Sequence, residues 1–75
     1  MIKKVKNHLK TLTSEEIKKL VRHPDLTEIE QWIIYYTYAE KRMVINTCYK
    51  LGLGECDFYV KQNLALTKLY YILGL

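Results

Sequence analysis

The fold is decided by the stretch from position 44 to position 63, which reads VINTCYKLGLGECDFYVKQN. A short helix is predicted over about Val44–Leu51, and Gly52 follows where a left-handed helix cap is needed. Residues 53–55 then form a tight linker to the longest helix, which runs over about Cys56–Leu73 and ends at Gly74. A short helix, a turn with glycine and a longer helix make up the helix-turn-helix plan.

Two capping boxes mark the starts of helices before this stretch. Residues 13–16 (TSEE) and 27–30 (TEIE) both place a Thr three residues before a Glu, so each side chain can hydrogen-bond the other's backbone N–H. The first box predicts a helix from about Ser14 to Val21 or Arg22, because His23 precedes Pro24. The second predicts a helix that reaches about residue 42.

This second helix carries apolar side chains around most of its circumference. They are Ile29, Trp32, Ile33, Ile34, Tyr35, Tyr36, Tyr38 and Ala39. A helix of this kind is central to a core or to an interface. The Tyr-rich run 33–38 has a strand-like composition, but its capped start and its length favour helix. A β-hairpin anywhere in residues 33–49 would contradict this interpretation.

The N-terminal segment predicts one further amphipathic helix. Its apolar residues Ile2, Val5, Leu9 and Leu12 follow one another at steps of 3, 4 and 3, which is one helical stripe. We therefore predict a single all-α domain of four to five helices with a C-terminal helix-turn-helix. It consists of a basic helical segment (1–26) and a helix-turn-helix core (27–75).

The predicted hydrophobic core is drawn from the second part of the chain. It holds Ile29, Trp32, Ile33, Tyr36, Ile45, Cys48, Leu51, Leu53, Phe58, Ala65, Leu69 and Ile72.

Composition excludes several classes of protein. The 75 residues are 49% hydrophobic and 27% charged, which is typical of a globular chain rather than a disordered one. No apolar run approaches the roughly 18 residues that a membrane span needs. The basic start has no apolar block after it of the kind that signal peptides carry, so a cytoplasmic protein is expected.

The titratable residues do not suggest an enzyme, a metal site or a cofactor. His8 and His23 lie far upstream of Cys48 and Cys56, at spacings that do not suit zinc. No Gly-rich phosphate loop and no Cys/His pair at local spacing is present. The two cysteines are expected to be reduced thiols, because a cytosolic setting disfavours a disulfide between them.

The stretch from Ile29 to the C-terminus resembles the C-terminal promoter-reading domain of bacterial sigma factors. It resembles still more closely the ArpU-type regulators of phage late-gene transcription. The matching residues are IIYY at 33–36, YKLGL at 49–53, FYVK at 58–61, LALTKL at 64–69 and LGL at 73–75. This resemblance covers roughly the last 47 residues. It implies sequence-specific DNA binding and transcriptional control in a phage or prophage.

The expected partner is therefore double-stranded DNA, read by the last helix. Near the start of this helix lie side chains suited to such contacts. Gln and Asn can bind adenine, Lys can donate to guanine, and Tyr can reach a phosphate. The candidate DNA-binding residues are Tyr59, Lys61, Gln62, Asn63, Lys68 and Lys50.

The distribution of charge leaves an alternative open. The net charge is +4, yet residues 23–75 hold five Lys or Arg against six Asp or Glu. The first 22 residues hold seven against two. Phosphate neutralisation supplies most non-specific DNA affinity. Either the N-terminal segment contributes the basic face, or the chain is a small phage-type module that binds a host protein such as RNA polymerase or a defence effector.

The last helix has one apolar stripe for the core, at Phe58, Ala65, Leu69 and Ile72, and a second stripe on a different side that suggests self-association. Oligomerisation is a common remedy for the thin core of a short chain, and two-fold pairing suits helix-turn-helix proteins. We predict a homodimer through Val60, Leu64, Tyr71 and Leu75, with Tyr35 and Tyr38 nearby. In the competing arrangement, the N-terminal stripe folds back and covers these residues within one chain.

Overall fold

The structure, a computed structural model, describes residues 2–75, in which every regular element is helical. The helices are α1 (Ile2–Lys10), α2 (Ser14–Leu20), α3 (Glu28–Ile34), α4 (Val44–Leu51) and α5 (Glu55–Leu73). A π-helical segment (Tyr35–Ala39) directly continues α3. The prediction of a small all-α domain is confirmed. Its Cα radius of gyration is 11.3 Å, which agrees with the value of about 11 Å for a compact domain of this length.

Both predicted capping boxes are present. The Oγ1 of Thr13 accepts from the N–H of Glu16 at 3.2 Å, and the N–H of Thr13 donates to Oε1 of Glu16 at 3.0 Å. Thr27 and Glu30 repeat both bonds at the same distances. Each pair satisfies two N–H groups that the first turn of a helix leaves without a partner, which is why α2 and α3 begin where they do.

The helix expected to run to about residue 42 is shorter than predicted. Its α-helical part ends at Ile34, and the π segment ends at Ala39. Lys41 then adopts a left-handed conformation with φ of 54°. A π-helix has a wider turn than an α-helix, so the spacing of 3.6 residues no longer describes which side chains share a face beyond Ile34.

The bounds of the last two helices agree closely with the sequence. α4 covers the predicted range, and α5 begins one residue earlier than predicted, at Glu55. Gly52 and Gly74 both adopt left-handed conformations, with φ of 68° and 71°. Only glycine enters this region without a steric penalty, so these two residues end α4 and α5.

The larger of two buried clusters, here the major cluster, joins the N-terminal helices to the middle and end of α5. Its members are Val5, Leu9, Ile17, Val21, Leu26, Ile34, Ala65, Leu66 and Leu69. The α1 stripe therefore folds back onto α5, but it covers Ala65, Leu66 and Leu69 and not the residues that the competing arrangement named. Of these nine residues only Ala65 and Leu69 were in the predicted core. Five of the others precede Ile29, where that prediction began, and Ile34 and Leu66 were left out although they lie after it.

The smaller cluster, here the minor cluster, joins α3, α4 and the start of α5. Ile33, Cys48 and Phe58 are its buried members. Four half-buried side chains surround them, namely Ile29, Val44, Leu51 and Leu53. The minor cluster thus holds six of the twelve predicted core residues, and it positions α4 against α5.

Two predicted core residues are in fact exposed. Trp32 is 41% exposed, because its neighbours Ile33 and Ile34 fill the two clusters and the indole lies on a third side of α3. Ile45 is 63% exposed, because α4 turns Val44, Cys48 and Leu51 inward and Ile45 lies one step off that face. Tyr36 is buried as predicted, and Ile72 is half-buried against the major cluster.

Candidate functional site

The turn between α4 and α5 is defined by backbone hydrogen bonds. The N–H of Leu53 donates to the carbonyl of Cys48 at 2.9 Å, and the N–H of Phe58 donates to the carbonyl of Gly54 at 2.9 Å. Gly54 has an extended backbone, with φ of −77°, and caps α5 without a side chain. Three residues, 52–54, therefore connect the two helices, and the minor cluster holds both of them against α3.

The outer side of α5 is largely uncharged. Val60, Leu64 and Tyr71 are 60%, 54% and 73% exposed, and we call them the outer stripe. Asn63 and Tyr59 are also exposed, the latter at 48%, and Lys61 is half-buried. Gln62 is only 6% exposed. Its side chain is on the inner side of α5, so it is not available to meet a base edge.

Lys68, another candidate DNA contact, is engaged inside the protein. Its Nζ lies 2.7 Å from Oε1 of Glu30, a carboxylate that is 5% exposed. Burial opposes ionisation of Glu30, but hydrogen bonds from Lys68 and Thr27 outweigh it and hold the pKa of Glu30 below 4.5. Lys68 therefore neutralises a buried charge and ties α3 to α5.

Lys50 lies in a cleft that the sequence prediction did not anticipate. The cleft has a volume of about 470 Å³ and lies between α2, α3 with its π segment, and α4. We call it the aromatic cleft, and six of its lining residues are Lys18, Arg22, Trp32, Tyr35, Tyr36 and Lys50. Lys50 places its Nζ 5.1 Å from the centre of the Tyr36 ring.

Aromatic rings form one wall of this cleft. Trp32 stacks on Tyr36 with ring centres 5.2 Å apart and planes 20° apart. Tyr35 meets Trp32 edge to face, with ring centres 6.0 Å apart. The guanidinium of Arg42 lies 5.3 Å from the centre of the Tyr36 ring, a cation–π distance. The signal in the sequence was the grouping of Trp32, Tyr35 and Tyr36, which we assigned to a helix central to a core or an interface, while Lys18 and Arg22 were counted only as part of the basic N-terminal segment.

The predicted dimer residues do not form one surface. The outer stripe remains exposed although α1 packs on α5, because α1 covers the opposite side, where Ala65, Leu66 and Leu69 lie. Leu75 is 37% exposed at the end of α5. Tyr35 lines the aromatic cleft, and Tyr38 packs against the major cluster.

Neither cysteine forms a disulfide. Cys48 is buried in the minor cluster, and Cys56 is exposed at the start of α5. Burial raises the pKa of the Cys48 thiol, and the nearby charge of Glu55 raises it further, so this thiol is neutral at pH 7.

Two further features of residues 2–75 bear on function. No helix in this range has both the length and the apolar character needed to cross a membrane. No group of three His, Cys, Asp or Glu side chains in it is arranged to hold a metal ion.

The cations that could meet a polyanion lie mainly on the two N-terminal helices. Five of them are exposed there, namely Lys3, Lys4, Lys10, Lys18 and Lys19, and Arg22 is exposed in the turn directly after α2. The positive surface is therefore concentrated on α1 and α2, and the exposed side of α5 adds little charge to it.

In comparisons with known proteins, no family model, no curated protein and no solved structure matches this chain.

Proposed function

We propose that this protein is a phage- or prophage-type transcriptional regulator of the cytoplasm that binds duplex DNA with α4 and α5 as a helix-turn-helix. The observation that carries the proposal is the three-residue connection between α4 and α5, held on α3 by the minor cluster. This arrangement leaves the first half of α5 exposed on its outer side, at Cys56, Tyr59, Val60 and Asn63. Recognition helices contact base edges with their N-terminal residues.

The structure narrows the set of residues that could make these contacts. Asn63 is exposed and suited to adenine, and Tyr59, one turn before it, is exposed and suited to a phosphate contact. Lys61 is half-buried and would reach a phosphate from another side of α5. Gln62 is left out because it is buried, and Lys68 because its ammonium group pairs with Glu30. Lys50 belongs to the aromatic cleft, where it remains a candidate for a backbone phosphate. The exposed lysines of α1 and α2 would supply most of the affinity for the DNA backbone.

Fluorescence anisotropy with a labelled mixed-sequence duplex over a series of salt concentrations tests the proposal. We expect Lys61→Ala to weaken binding to all sequences and to reduce the salt slope by about one. Lys19→Ala removes the same charge from α2, and its effect on affinity and salt slope shows how much the N-terminal helices contribute to DNA binding. Affinity that does not change with salt would contradict phosphate contact.

Selection from a random duplex library tests sequence reading separately. We expect Asn63→Ala to lose about 1–3 kcal/mol of discrimination at one base pair while the salt slope stays unchanged. If the wild-type protein enriches no sequence, α5 does not read bases.

A second candidate function is supported by the outer stripe. Three large apolar side chains that remain exposed along one face of a helix are typical of a surface that another protein covers. The protein that covers them is either a second copy, as in the predicted homodimer, or a host protein. Sedimentation at tens of micromolar separates a 9.0 kDa monomer from a dimer.

Two neighbouring leucines provide a matched test of this surface. Leu64 is 54% exposed, so Leu64→Glu should split a dimer and leave the fold intact. Leu66 is fully buried, so Leu66→Glu should unfold the chain. A wild-type protein that sediments as a monomer would contradict the homodimer. A pull-down that captures a protein with wild type but not with Leu64→Glu, while duplex binding is absent, would favour the protein-binding module over the DNA regulator.

A further inference from the structure

The aromatic cleft combines two chemical features that the proposed DNA surface on α5 does not use. The first is positive charge. Lys18 on α2 and Arg22, in the turn directly after α2, both line the cleft, and Lys50 reaches it from α4. None of the three is in an ion pair with another of residues 2–75.

The carboxylate in the cleft does not compensate these charges. Glu40 lines the cleft, but its Oε1 lies 2.6 Å from Nε of Arg42 and is neutralised there. Three cations around one small volume repel each other, and a bound anion relieves that repulsion. The cleft is therefore suited to an anionic group.

The second feature is an aromatic surface beside these cations. Trp32 is 41% exposed although it stacks on Tyr36, and it is the only tryptophan in the chain. A planar ligand can stack on an indole that is held in place, and stacking of a nucleic acid base on an aromatic side chain adds substantially to affinity.

The cleft is also held in a defined shape. The Oγ of Ser14 donates to the carbonyl of Ala39 at 3.1 Å and ties the start of α2 to the π segment. The Nε2 of Gln31 donates to the carbonyl of Leu26 at 3.1 Å. π-helical segments occur frequently at functional sites. The volume of about 470 Å³ is within the range of about 300–1,000 Å³ found for small-molecule sites.

We propose that the aromatic cleft binds a nucleotide, with the base against Trp32 and the phosphate between Lys18, Arg22 and Lys50. A free mononucleotide and an unpaired nucleotide of a DNA strand share this chemistry. The inference does not depend on duplex binding by α5, and Lys50 is the residue that the two surfaces share.

The fluorescence of Trp32 reports directly on this site, because no other tryptophan contributes. We expect adenosine monophosphate to quench it in a saturable manner. Adenosine and inorganic phosphate should each bind at least tenfold more weakly, because each lacks one of the two groups. A 5′-phosphorylated single strand, titrated in parallel, tests the second source. If it binds at least tenfold more tightly than the mononucleotide, the strand is the physiological ligand.

Two pairs of variants test the assignment, with calorimetry as the readout where the indole is lost. Arg22→Gln should weaken binding of adenosine monophosphate about tenfold. Lys19→Gln removes one positive charge from α2 outside the cleft and should leave the affinity for adenosine monophosphate unchanged. Trp32→Ala should weaken binding about tenfold, whereas Trp32→Phe should retain most of it, because it keeps a ring.

Four results would overturn the proposal. The first is the absence of binding by either the mononucleotide or the strand. The second is equal affinity for inorganic phosphate and adenosine monophosphate, which would indicate an anion site without stacking. The third is equal weakening by Arg22→Gln and Lys19→Gln, which would indicate diffuse attraction by the basic surface. An acidic peptide that displaces the nucleotide at equal concentration would likewise assign the cleft to a protein partner.

Discussion

The major and minor clusters share α3 and α5 but are built from different parts of the chain. The major cluster has nine buried members from α1, α2, the loop after α2, α3 and α5. The minor cluster has three, and four half-buried side chains complete it. Since stabilisation by apolar burial grows with the area removed from water, the major cluster carries most of the stability. The minor cluster holds α4 on α5, and the proposed function depends on this pair of helices.

The largest effect is expected from breaking the minor cluster itself. Phe58 is fully buried, and Phe58→Ala should cost about 3–5 kcal/mol. Leu9→Ala, in the major cluster, should cost about 2–5 kcal/mol. The two variants should differ in hydrogen exchange, because Phe58→Ala should expose the amides of α4 while α1 stays protected. Equal loss of protection in both helices would mean that the two clusters open as one unit.

The ion pair between α3 and α5 should have the next largest effect. The cost of Glu30→Gln is about 1.5 kcal/mol, at the lower end for a charged hydrogen bond because Lys68 is 37% exposed. The lowered pKa of Glu30 means that its contribution is present above pH 4.5 and is lost as the pH falls below that value. Denaturant unfolding from pH 7 to pH 3 should therefore show a smaller loss of stability for Glu30→Gln than for wild type.

Glu28→Gln is the control for this prediction, because Glu28 is exposed in the same turn of α3 and has no ion pair with the other described residues. It should retain the dependence of wild type on pH. Hydrogen bonds from Thr13 also lower the pKa of Glu16, so part of the dependence should persist in every variant. If Glu30→Gln and wild type lose stability in parallel, the pair contributes nothing in this range.

The turn that the minor cluster supports should respond more weakly to substitution. Gly52→Ala should cost about 1–2 kcal/mol, because φ is 68° and alanine is strained there. A Cβ at this position would meet no atom of the surrounding structure within 4 Å, so the cost comes from the strained local backbone and not from a clash with packed neighbours. Gly54→Ser should instead stabilise by a few tenths of a kcal/mol, because serine can cap α5 with its hydroxyl. In thermal unfolding, Gly52→Ala should lower the melting temperature and Gly54→Ser should raise it. Equal effects of the two variants would contradict this account of the turn.

A small effect is also expected at Lys41, two residues after the end of the π segment. Lys41 has φ of 54°, and Lys41→Gly should relieve about 1–2 kcal/mol of strain. Greater freedom of glycine in the unfolded chain offsets about 0.4–1 kcal/mol of this, which leaves a gain of about 0.5 kcal/mol. Lys19→Gly, within α2, should lose about 1 kcal/mol in the same denaturation experiment. A loss at Lys41 would mean that its side chain stabilises the end of the π segment.

The sequence predicted the local structure of both regions well. Thr13, Thr27 and the two left-handed glycines are signals whose physical cause lies within four residues, so they can be recognised without knowledge of the fold. The exception was the end of α3, which was predicted to continue as a helix to about residue 42 but changes to a π-helix after Ile34. No local rule predicts a π-helix. Among the candidate site residues, Val60, Leu64 and Tyr71 lie on one side of α5, as their spacing predicts, and this side is exposed in the single chain.

What the sequence by itself determined is thus the helical class, the ends of most helices and the connection between α4 and α5. Only the tertiary structure decided which apolar faces meet. It buried Gln62, left Trp32 and Ile45 exposed, engaged Lys68 with Glu30 and created the aromatic cleft. The reason is that caps and turns depend on neighbouring residues, whereas burial and ion pairing depend on partners far along the chain. Glu30 and Lys68 are 38 residues apart, and no local pattern specifies that they meet.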